Sequence, residues 1–493
     1  MTRRLLTARW VIGHDQGAHV IHENGCVMIE GAEVVHVGRV PDSDSHSGID
    51  SGAAPSTGAI AERIDYGQAI LSPGFIDLDA LSDLDTTILG YDNFPGWRKG
   101  RVWPETYIAR GPYEMYSPDE LAFQKRFAFC ELIRNGITTA LPIASLFYRA
   151  WGETVAEFDA AADAAEALGL RAYLGPAYRT GGQVTDDAGR ISARYDEARG
   201  LEGLREAAAF AGRIEGRAGG RIRAMFAPDR LETCTPELLR RTAAIAREMG
   251  APVRQHCLQS AIELRLIADQ HGCTPIEYLA RNDALGPNWL LPHGTHGTAA
   301  DFALIRDAGA SIVHCPLVSM RHGGLLLSLP RLVAMGINIG MGTDTWPADM
   351  ILNMQLGMMG ARIADGAEAI TSEALFDAAT LGGARALGRD DLGRLAPGAQ
   401  ADIAVIDLSG ALQTPDPIQT LMTSCSGRDV RDVWIAGRRV MQDRVIAGVD
   451  ARADAARAQA QFDGLIAKYP DRTNGHPPLP AIFRNSYARI PHE

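Results

Sequence analysis

The chain has 493 residues, of which 46% are hydrophobic and 22% are charged, so it is long enough for a large globular domain and a smaller one. The formal net charge of −12 argues against nucleic acid as a partner. We expect neither a membrane span nor a signal peptide, because the sequence contains no long apolar stretch and its N-terminus lacks a long apolar region and a cleavage site.

The seven cysteines are spread along the chain without a CxxC pair. This usage is typical of a reduced compartment and not of a disulfide framework. We therefore expect a cytoplasmic protein whose partners are a small-molecule substrate and, as a homodimer, a second copy of the chain.

Residues 1–70 contain short runs in which apolar and polar side chains alternate, the period of β-strands. The same alternation of apolar and polar residues occurs in residues 391–450. We interpret the two segments as parts of one composite β-sandwich domain. Residues 451–493 are predicted to form an Ala-rich helix followed by a Pro-rich tail.

Residues 71–390 alternate strand-like runs with helical runs rich in Ala, Leu, Glu and Arg. The predicted strands are 74–78, 136–141, 170–175, 221–227, 252–257, 288–293, 310–315 and 337–343. Eight strands that alternate with helices predict a (β/α)₈ TIM-like barrel. A doubly wound sheet is the alternative, although no GxGxxG follows the first strand.

Polar side chains recur where these predicted strands end. They are Asp79 after the first strand, Asp229 after the fourth, His256, His293 and His314 at the ends of the fifth to seventh, and Asp344 after the eighth. In a barrel these ends meet at one face, so the side chains are expected to converge. Imidazole with carboxylate suits zinc or iron, with an open position for a water molecule. A metal would activate that water, and Asp344 or a histidine would take its proton.

Other side chains are candidates for substrate binding. The loop 91–116 carries Trp97 and Trp103 among tyrosines and basic residues, which suits either a lid over a planar or anionic ligand or an oligomer contact. Arg321 could bind a carboxylate or form a surface salt bridge. Trp346 follows Asp344 closely and is expected to line the pocket.

Several segments together resemble the amidohydrolase superfamily, in the branch of triazine hydrolases, guanine deaminase and adenosylhomocysteine-type deaminases. They are SPGFIDLDAL, APDRLETCTPELL, VRQHCLQS, LLPHGTHGT, IVHCPLVSM, GMGTDTWPADMILNMQLGMMGAR and ATLGGARALGRDDLGRLAPGAQADIAVIDL. The resemblance implies a metal-bearing barrel with a composite β-sandwich.

The chain also departs from that family. The family's paired first-strand histidines fall on Asp79 and Leu81, its histidine after the fourth strand on Asp229, and its proton-donating glutamate on Gln259. Glutamine cannot deliver a proton at neutral pH, so the family's deamination mechanism is in doubt here.

The positions that match the family's site are His256, His293 and Asp344. Two interpretations stay open. Either Asp79, His256 and Asp344 hold a metal with His293 nearby, or the site is metal-free and His256, His293 and Asp344 perform acid–base chemistry.

The sequence predicts an enzyme that hydrolyses a carbon–nitrogen bond (amide, amidine or ring amine) of a small polar molecule with metal-activated water. The alternatives are a hydrolase or lyase acting on a carbon–halogen or carbon–carbon bond, and a non-catalytic binding relative. The predicted substrate-binding residues are Gln259, His314, Asp229, Trp103, Trp97, Arg321 and Trp346.

Overall fold

The structure is a computed structural model that describes residues 3–41, 60–84, 102–143, 146, 148–326, 329–483 and 485–490. The strands in these ranges are β1 (Arg3–Asp15), β2 (Ala18–Glu30), β3 (Glu33–Gly38), β4 (Ile60–Asp65), β5 (Ala69–Pro73), β6 (Phe75–Ala80), β7 (Trp103–Pro104), β8 (Ile137–Pro142), β9 (Arg171–Leu174), β10 (Gly181–Thr185), β11 (Ile191–Tyr195), β12 (Ile222–Ala224), β13 (Val253–Arg254), β14 (Trp289–Pro292), β15 (Ser311–His314), β16 (Ile339–Met341), β17 (Ile403–Asp407), β18 (Val430–Ile435), β19 (Arg438–Gln442) and β20 (Val445–Ile446).

The helices fall mainly between the strands of the middle segment and in the C-terminal tail. They are α1 (Glu105–Arg110), α2 (Pro118–Arg134), α3 (Val155–Leu168), α4 (Glu197–Ile214), α5 (Arg217–Gly220), α6 (Pro236–Met249), α7 (Ala261–His271), α8 (Pro275–Arg281), α9 (Ala299–Ala308), α10 (Pro316–Arg321), α11 (Leu329–Ala334), α12 (Met350–Asp365), α13 (Ser372–Asp377), α14 (Gly383–Ala386), α15 (Pro417–Ser424), α16 (Ala451–Arg472) and α17 (Leu479–Ile482). Among the described residues, no helix is long and apolar enough to cross a membrane.

The middle segment forms a parallel barrel. Its eight strands are hydrogen-bonded in the order β12-β9-β8-β6-β16-β15-β14-β13. A parallel bridge between Phe226 and Val253 joins the two ends of this order, and the amide of Arg254 donates to the carbonyl of Phe226 at 2.9 Å. The predicted barrel is therefore confirmed.

The barrel interior is filled by alternate residues of the strands. Side chains from the different strands meet there in one buried apolar cluster, which includes Ile76, Leu78, Leu141, Tyr173, Met225, Leu290 and Val313. The pairing of β6 with β8 is irregular between Asp77 and Ala80, so strict alternation does not hold at the end of β6. Asp79 there faces Arg254 and Cys315 although Leu78 belongs to the apolar cluster.

Strands from both chain ends form one nine-stranded sheet among the described residues, in the order β20-β19-β18-β17-β5-β1-β2-β3 with β4 beside β1. The junction between the two ends is the antiparallel pair β5 and β17, in which Leu71 lies opposite Val405. Both terminal segments thus contribute strands to one sheet, while the composite β-sandwich domain stays a prediction. Its division into the two layers of a sandwich and the boundaries at residues 70, 390 and 450 stay predictions.

The C-terminal helix α16 packs on the barrel helix α2 of the same chain. Gln124 donates to Gln461 at 3.4 Å, and the guanidinium carbon of Arg457 lies 4.1 Å from the ring centre of Phe123. The predicted Ala-rich helix thus covers its own barrel. All seven cysteines are buried.

A buried ion pair joins the barrel to the terminal sheet. Arg171, at the start of β9, donates from Nε and Nη2 to the two carboxylate oxygens of Asp402 at 2.9 and 3.2 Å. Asp402 also accepts from the amide of Ala436 at 2.7 Å. Both charged side chains are almost fully buried, so each depends on the other for compensation.

We predict that Asp402→Ala lowers the free energy of unfolding by about 3–5 kcal/mol, because it leaves the buried guanidinium of Arg171 uncompensated. Denaturant titration measures this loss. The control is Asp159→Ala, which removes the half-exposed partner of Arg213 and is expected to change stability by less than about 1 kcal/mol. Equal losses in the two variants would contradict the structural role of the Arg171–Asp402 pair.

Candidate active site

Four of the predicted residues meet at the carboxyl ends of the barrel strands. Asp79 lies within β6, His256 lies two residues after the end of β13, His293 comes directly after β14, and Asp344 follows β16. Their exposed fractions are 0%, 7%, 1% and 6%. The site is therefore a buried cluster at the barrel face where the loops that follow the strands meet.

The polar atoms of these side chains are close together. His256 Nε2 lies 3.7 Å from Asp79 Oδ2, and His293 Nε2 lies 3.7 Å from Asp344 Oδ2. The two imidazole rings are stacked with their centres 5.2 Å apart. One potential ligand atom from each of Asp79, His256 and His293 lies within 4.8 Å of the other two.

A second group of the same kind includes a cysteine. His293, Cys315 and Asp344 also bring potential ligand atoms within 4.8 Å of one another. The Cys315 thiol donates to Asp79 Oδ2 at 3.6 Å. This contact was not predicted from the sequence. Alternation in the chain could have indicated it, because Cys315 lies two residues after the inward-facing Val313.

The backbone at two of these residues has an uncommon conformation. His293 has a φ of 81° and Asp344 a φ of 54°, both in the left-handed region that side chains other than glycine seldom adopt. The amide of Asp344 donates to the carbonyl of Asp79 at 2.7 Å, and that of His293 donates to Val313 at 2.9 Å. Such strain typically persists where the surroundings fix a functional side chain.

Both imidazoles are neutral at physiological pH. Burial lowers the pKa of His256 and of His293 well below the ordinary value, and the nearby charges of Arg254 and Arg230 lower both further. Neither ring nitrogen of His293 has a hydrogen-bond partner in the described part of the chain. Neutral imidazole with a free nitrogen is the form that binds metal.

A buried arginine compensates Asp79. Arg254 Nη1 donates to Asp79 Oδ1 at 2.7 Å, and the guanidinium is only 2% exposed. Burial raises the pKa of Asp79, while the charge of Arg254 opposes that rise. Arg254 was not predicted as a site residue. Its spacing of two residues from His256 could have indicated it, because that spacing places both side chains on one face of the predicted strand 252–257.

A further carboxylate ties the first strand to the eighth. Asp77 accepts from the Thr343 hydroxyl at 2.6 Å and from the Thr343 amide at 3.0 Å. Burial raises the pKa of Asp77 to about 7. Leu81 is fully buried and has no atom that could bind a metal. Asp79 is therefore the one residue of the substituted first-strand pair that supplies an oxygen to the site.

The structure places two predicted substrate-binding residues beside this cluster. Gln259 accepts a hydrogen bond at Oε1 from Arg230, which orients its amide. Asp229 lies 3.9 Å from Nη1 of Arg179 and belongs to neither ligand group. Both assignments to substrate binding stay predictions.

Other predicted residues lie farther out. The His314 ring packs against Gly357 of α12. A methyl group added at Gly357 would lie 3.1 Å from Nε2 of His314. Arg321 donates to the Thr345 hydroxyl and to the carbonyl of Trp346 at 3.1 and 2.7 Å.

The predicted tryptophans differ in their surroundings. The Trp346 ring stacks on Phe127, with 5.8 Å between ring centres. Trp103 is 4% exposed, and its ring lies beside the Arg179 guanidinium. Trp97 lies outside the described residues. Substrate contacts of these side chains, as of His314 and Arg321, stay predictions.

The buried position of His314 predicts a pH-dependent loss of stability. Burial lowers the pKa of His314 to about 4 from an ordinary 6.5, so the unfolded chain binds a proton that the folded chain does not. Stability is complete above pH 6.5 and falls as the pH drops towards 4, by about 2 kcal/mol at pH 5. His314→Gln removes this contribution, so denaturant titrations at pH 7.5 and 5 should show a smaller acid loss in the variant. Equal acid losses would contradict the burial of a neutral His314.

The chain matches the amidohydrolase family over residues 70–440. An 8-oxoguanine deaminase of Pseudomonas aeruginosa is 31% identical over 376 residues, which cover 71% of this chain and 78% of that protein. A 5-methylthioadenosine/S-adenosylhomocysteine deaminase of Halobacterium salinarum is 29% identical over 457 residues, which cover 90% and 98%.

Solved structures resemble the chain at lower identity. A crystal structure of an adenosine deaminase from Xanthomonas campestris with bound zinc has a TM-score of 0.76 at 23% identity and covers 94% of this chain and 98% of its own. Atrazine chlorohydrolase from Arthrobacter aurescens, complexed with zinc, has a TM-score of 0.73 at 21% identity and covers 93% and 100%. These likenesses show a shared fold.

Proposed function

This chain belongs to the amidohydrolase family, and we propose that it hydrolyses a carbon–nitrogen bond of a small polar molecule with a water molecule activated by a divalent metal. The strongest support is the convergence of Asp79, His256 and His293, with potential ligand atoms within 4.8 Å of one another. The relatives named as deaminases support the bond class, since deamination is hydrolysis of a carbon–nitrogen bond. The proposed bond is that of an amide, amidine or ring amine.

The side chains fit a metal. His256 and His293 are buried and neutral, and Asp79 keeps Oδ2 turned towards His256 while Arg254 binds Oδ1. A ligating carboxylate commonly has its second oxygen hydrogen-bonded in this way. With Asp344, these residues form a nitrogen and oxygen donor set suited to zinc or iron. A metal bound here would lower the pKa of a water molecule to near neutrality.

Asp344 is the proposed general base. Burial and the nearby charge of Asp79 raise the pKa of Asp344, which makes its carboxylate a better proton acceptor than an exposed one. Gln259 cannot pass a proton to the leaving nitrogen, and Arg230 fixes its Oε1, so only the amide N–H groups are free to donate to substrate. We therefore assign both proton transfers to Asp344, which accepts the proton from water and gives it to the leaving nitrogen. His293 polarises the substrate.

We predict that the purified protein contains close to one equivalent of zinc or iron, measured by elemental mass spectrometry. His256→Ala should lower the metal content by at least about tenfold, because it removes a nitrogen ligand. Even mutation of residues that only hydrogen-bond to metal ligands typically lowers metal affinity 10- to 100-fold. His296→Ala is the matched control, since His296 is exposed and lies outside both ligand groups. Protein that stays metal-free after incubation with Zn²⁺, Fe²⁺ and Mn²⁺ would contradict the proposal.

We predict that Asp344→Asn lowers kcat/KM by about 10² to 10⁴, the usual contribution of a positioned base. The assay uses a panel of amides, amidines, ring amines and haloaromatics, and proceeds with any substrate that the wild type turns over. Asp186→Asn, in the loop between β10 and β11, is expected to keep full activity. An Asp344→Asn variant with wild-type activity would remove Asp344 from the proton transfers.

The ion pair of Arg254 with Asp79 favours one second candidate function. Because the guanidinium neutralises Asp79 without a metal, the cluster could be a metal-free site that acts on a carbon–halogen or carbon–carbon bond. His256, His293 and Asp344 would then perform acid–base chemistry. Turnover of a haloaromatic by metal-free protein favours this candidate, and turnover that requires zinc or iron excludes it.

We further infer a cytoplasmic homodimer. The seven cysteines are all buried and contain no CxxC pair, a usage that supports a reducing compartment. Met359 and Ile363 lie four residues apart on one face of α12 and are 52% and 83% exposed, an apolar ridge that a second copy would cover. Light scattering after size-exclusion chromatography should give twice the monomer mass, and Ile363→Glu should lower the fraction of dimer.

A further inference from the structure

An arginine next to the candidate active site is buried without full hydrogen bonding. Arg179 follows β9 in the loop at the open end of the barrel and is 7% exposed. Among the residues that the structure describes, its Nε and Nη2 atoms have no hydrogen-bond partner. A buried guanidinium with unpaired donors is costly, so we look for a partner in a bound ligand.

The charged groups around Arg179 do not supply that partner. Asp229 Oδ2 lies 3.9 Å from Nη1, beyond hydrogen-bond distance. Two other arginines, Arg472 and Arg199, add to the positive charge, and together with burial they lower the pKa of Arg179 to about 10 against the opposing charge of Asp229. The surroundings therefore favour an additional negative charge.

The Arg179 guanidinium lies beside two indole rings, and one of its edges remains available to a ligand. The guanidinium carbon of Arg179 lies 4.8 Å from the ring centre of Trp103 and 5.2 Å from that of Trp151. Nη1 is directed to Asp229, so the edge formed by Nε and Nη2 remains. That edge carries two parallel N–H donors, the fork that binds a carboxylate with two hydrogen bonds.

The backbone fixes this arrangement before any ligand binds. Trp103 lies in β7, which pairs with β10, the strand that begins two residues after Arg179. Trp151 Nε1 donates to the carbonyl of Arg179 at 3.0 Å. The amide of Asp229 donates to the carbonyl of Tyr178 at 2.9 Å, which joins the loops after β9 and β12. Such a rigid frame lowers the entropy cost of binding.

The frame borders the candidate active site. Arg230, the residue after Asp229, forms a parallel backbone bridge with His256. We propose that Arg179 is the anchor of a subsite that binds a carboxylate group of the substrate. The substrate class, which rests on the function proposed above, is a small amide, amidine or ring amine that carries a carboxylate.

The test compares carboxylates with their neutral amides on metal-stripped protein, so that binding to a metal does not contribute. The probes are N-acetylglycine against N-acetylglycinamide and benzoate against benzamide, with dissociation constants from titration calorimetry. We expect each carboxylate to bind about 10- to 100-fold more tightly than its amide, the usual effect of hydrogen bonds to a charged group. Arg179→Gln should abolish this preference, and the control Arg213→Gln, on the exposed side of α4, should keep it.

A second variant keeps the test decisive if Arg179→Gln does not fold. Asp229→Asn removes the negative charge nearest to Arg179, so carboxylates should bind severalfold more tightly while the amides are unchanged. Because no turnover is measured, the subsite can be confirmed even if carbon–nitrogen hydrolysis is never observed. Equal binding of acid and amide by the wild type, or a preference that survives Arg179→Gln, would overturn the proposal.

Discussion

The buried carboxylate of Asp79 is the constraint on which the candidate active site depends. A charge that is 0% exposed on a central barrel strand is stable only with a close counter-charge. Arg254 supplies one at 2.7 Å from β13, which lies across the barrel from β6. The pair leaves the second oxygen of Asp79 beside His256, so one interaction both stabilises the barrel end and orients a potential ligand.

The substitutions around this pair form a coherent set. Arg254 donates to Asp79 at 2.7 Å, and Nη1 of Arg179 lies 3.9 Å from Asp229. From the family resemblance, histidine is expected at both carboxylate positions. Each buried carboxylate therefore has a positive charge close by that lowers the cost of its burial.

Much of the fold could be predicted from the sequence because hydrophobic periodicity is a local property. The eight strand positions and the convergence of His256, His293 and Asp344 followed from strand ends and barrel geometry. The Arg254 contact could not be predicted in the same way, since it joins residues 175 positions apart. The His314 ring contacts Gly357 of α12 on the outer side of β15, because the neighbouring side chain of Val313 faces the barrel interior.

We propose that Asp79 replaces a family histidine as a metal ligand while Arg254 holds its other oxygen. Anomalous diffraction from crystals grown with zinc tests this most directly. We predict one zinc ion at about 2.0–2.2 Å from Asp79 Oδ2 and from ring nitrogens of His256 and His293, with the Arg254–Asp79 contact retained. Crystals without an anomalous peak at these residues, with the guanidinium still bound to Asp79, would contradict it and leave the metal-free site.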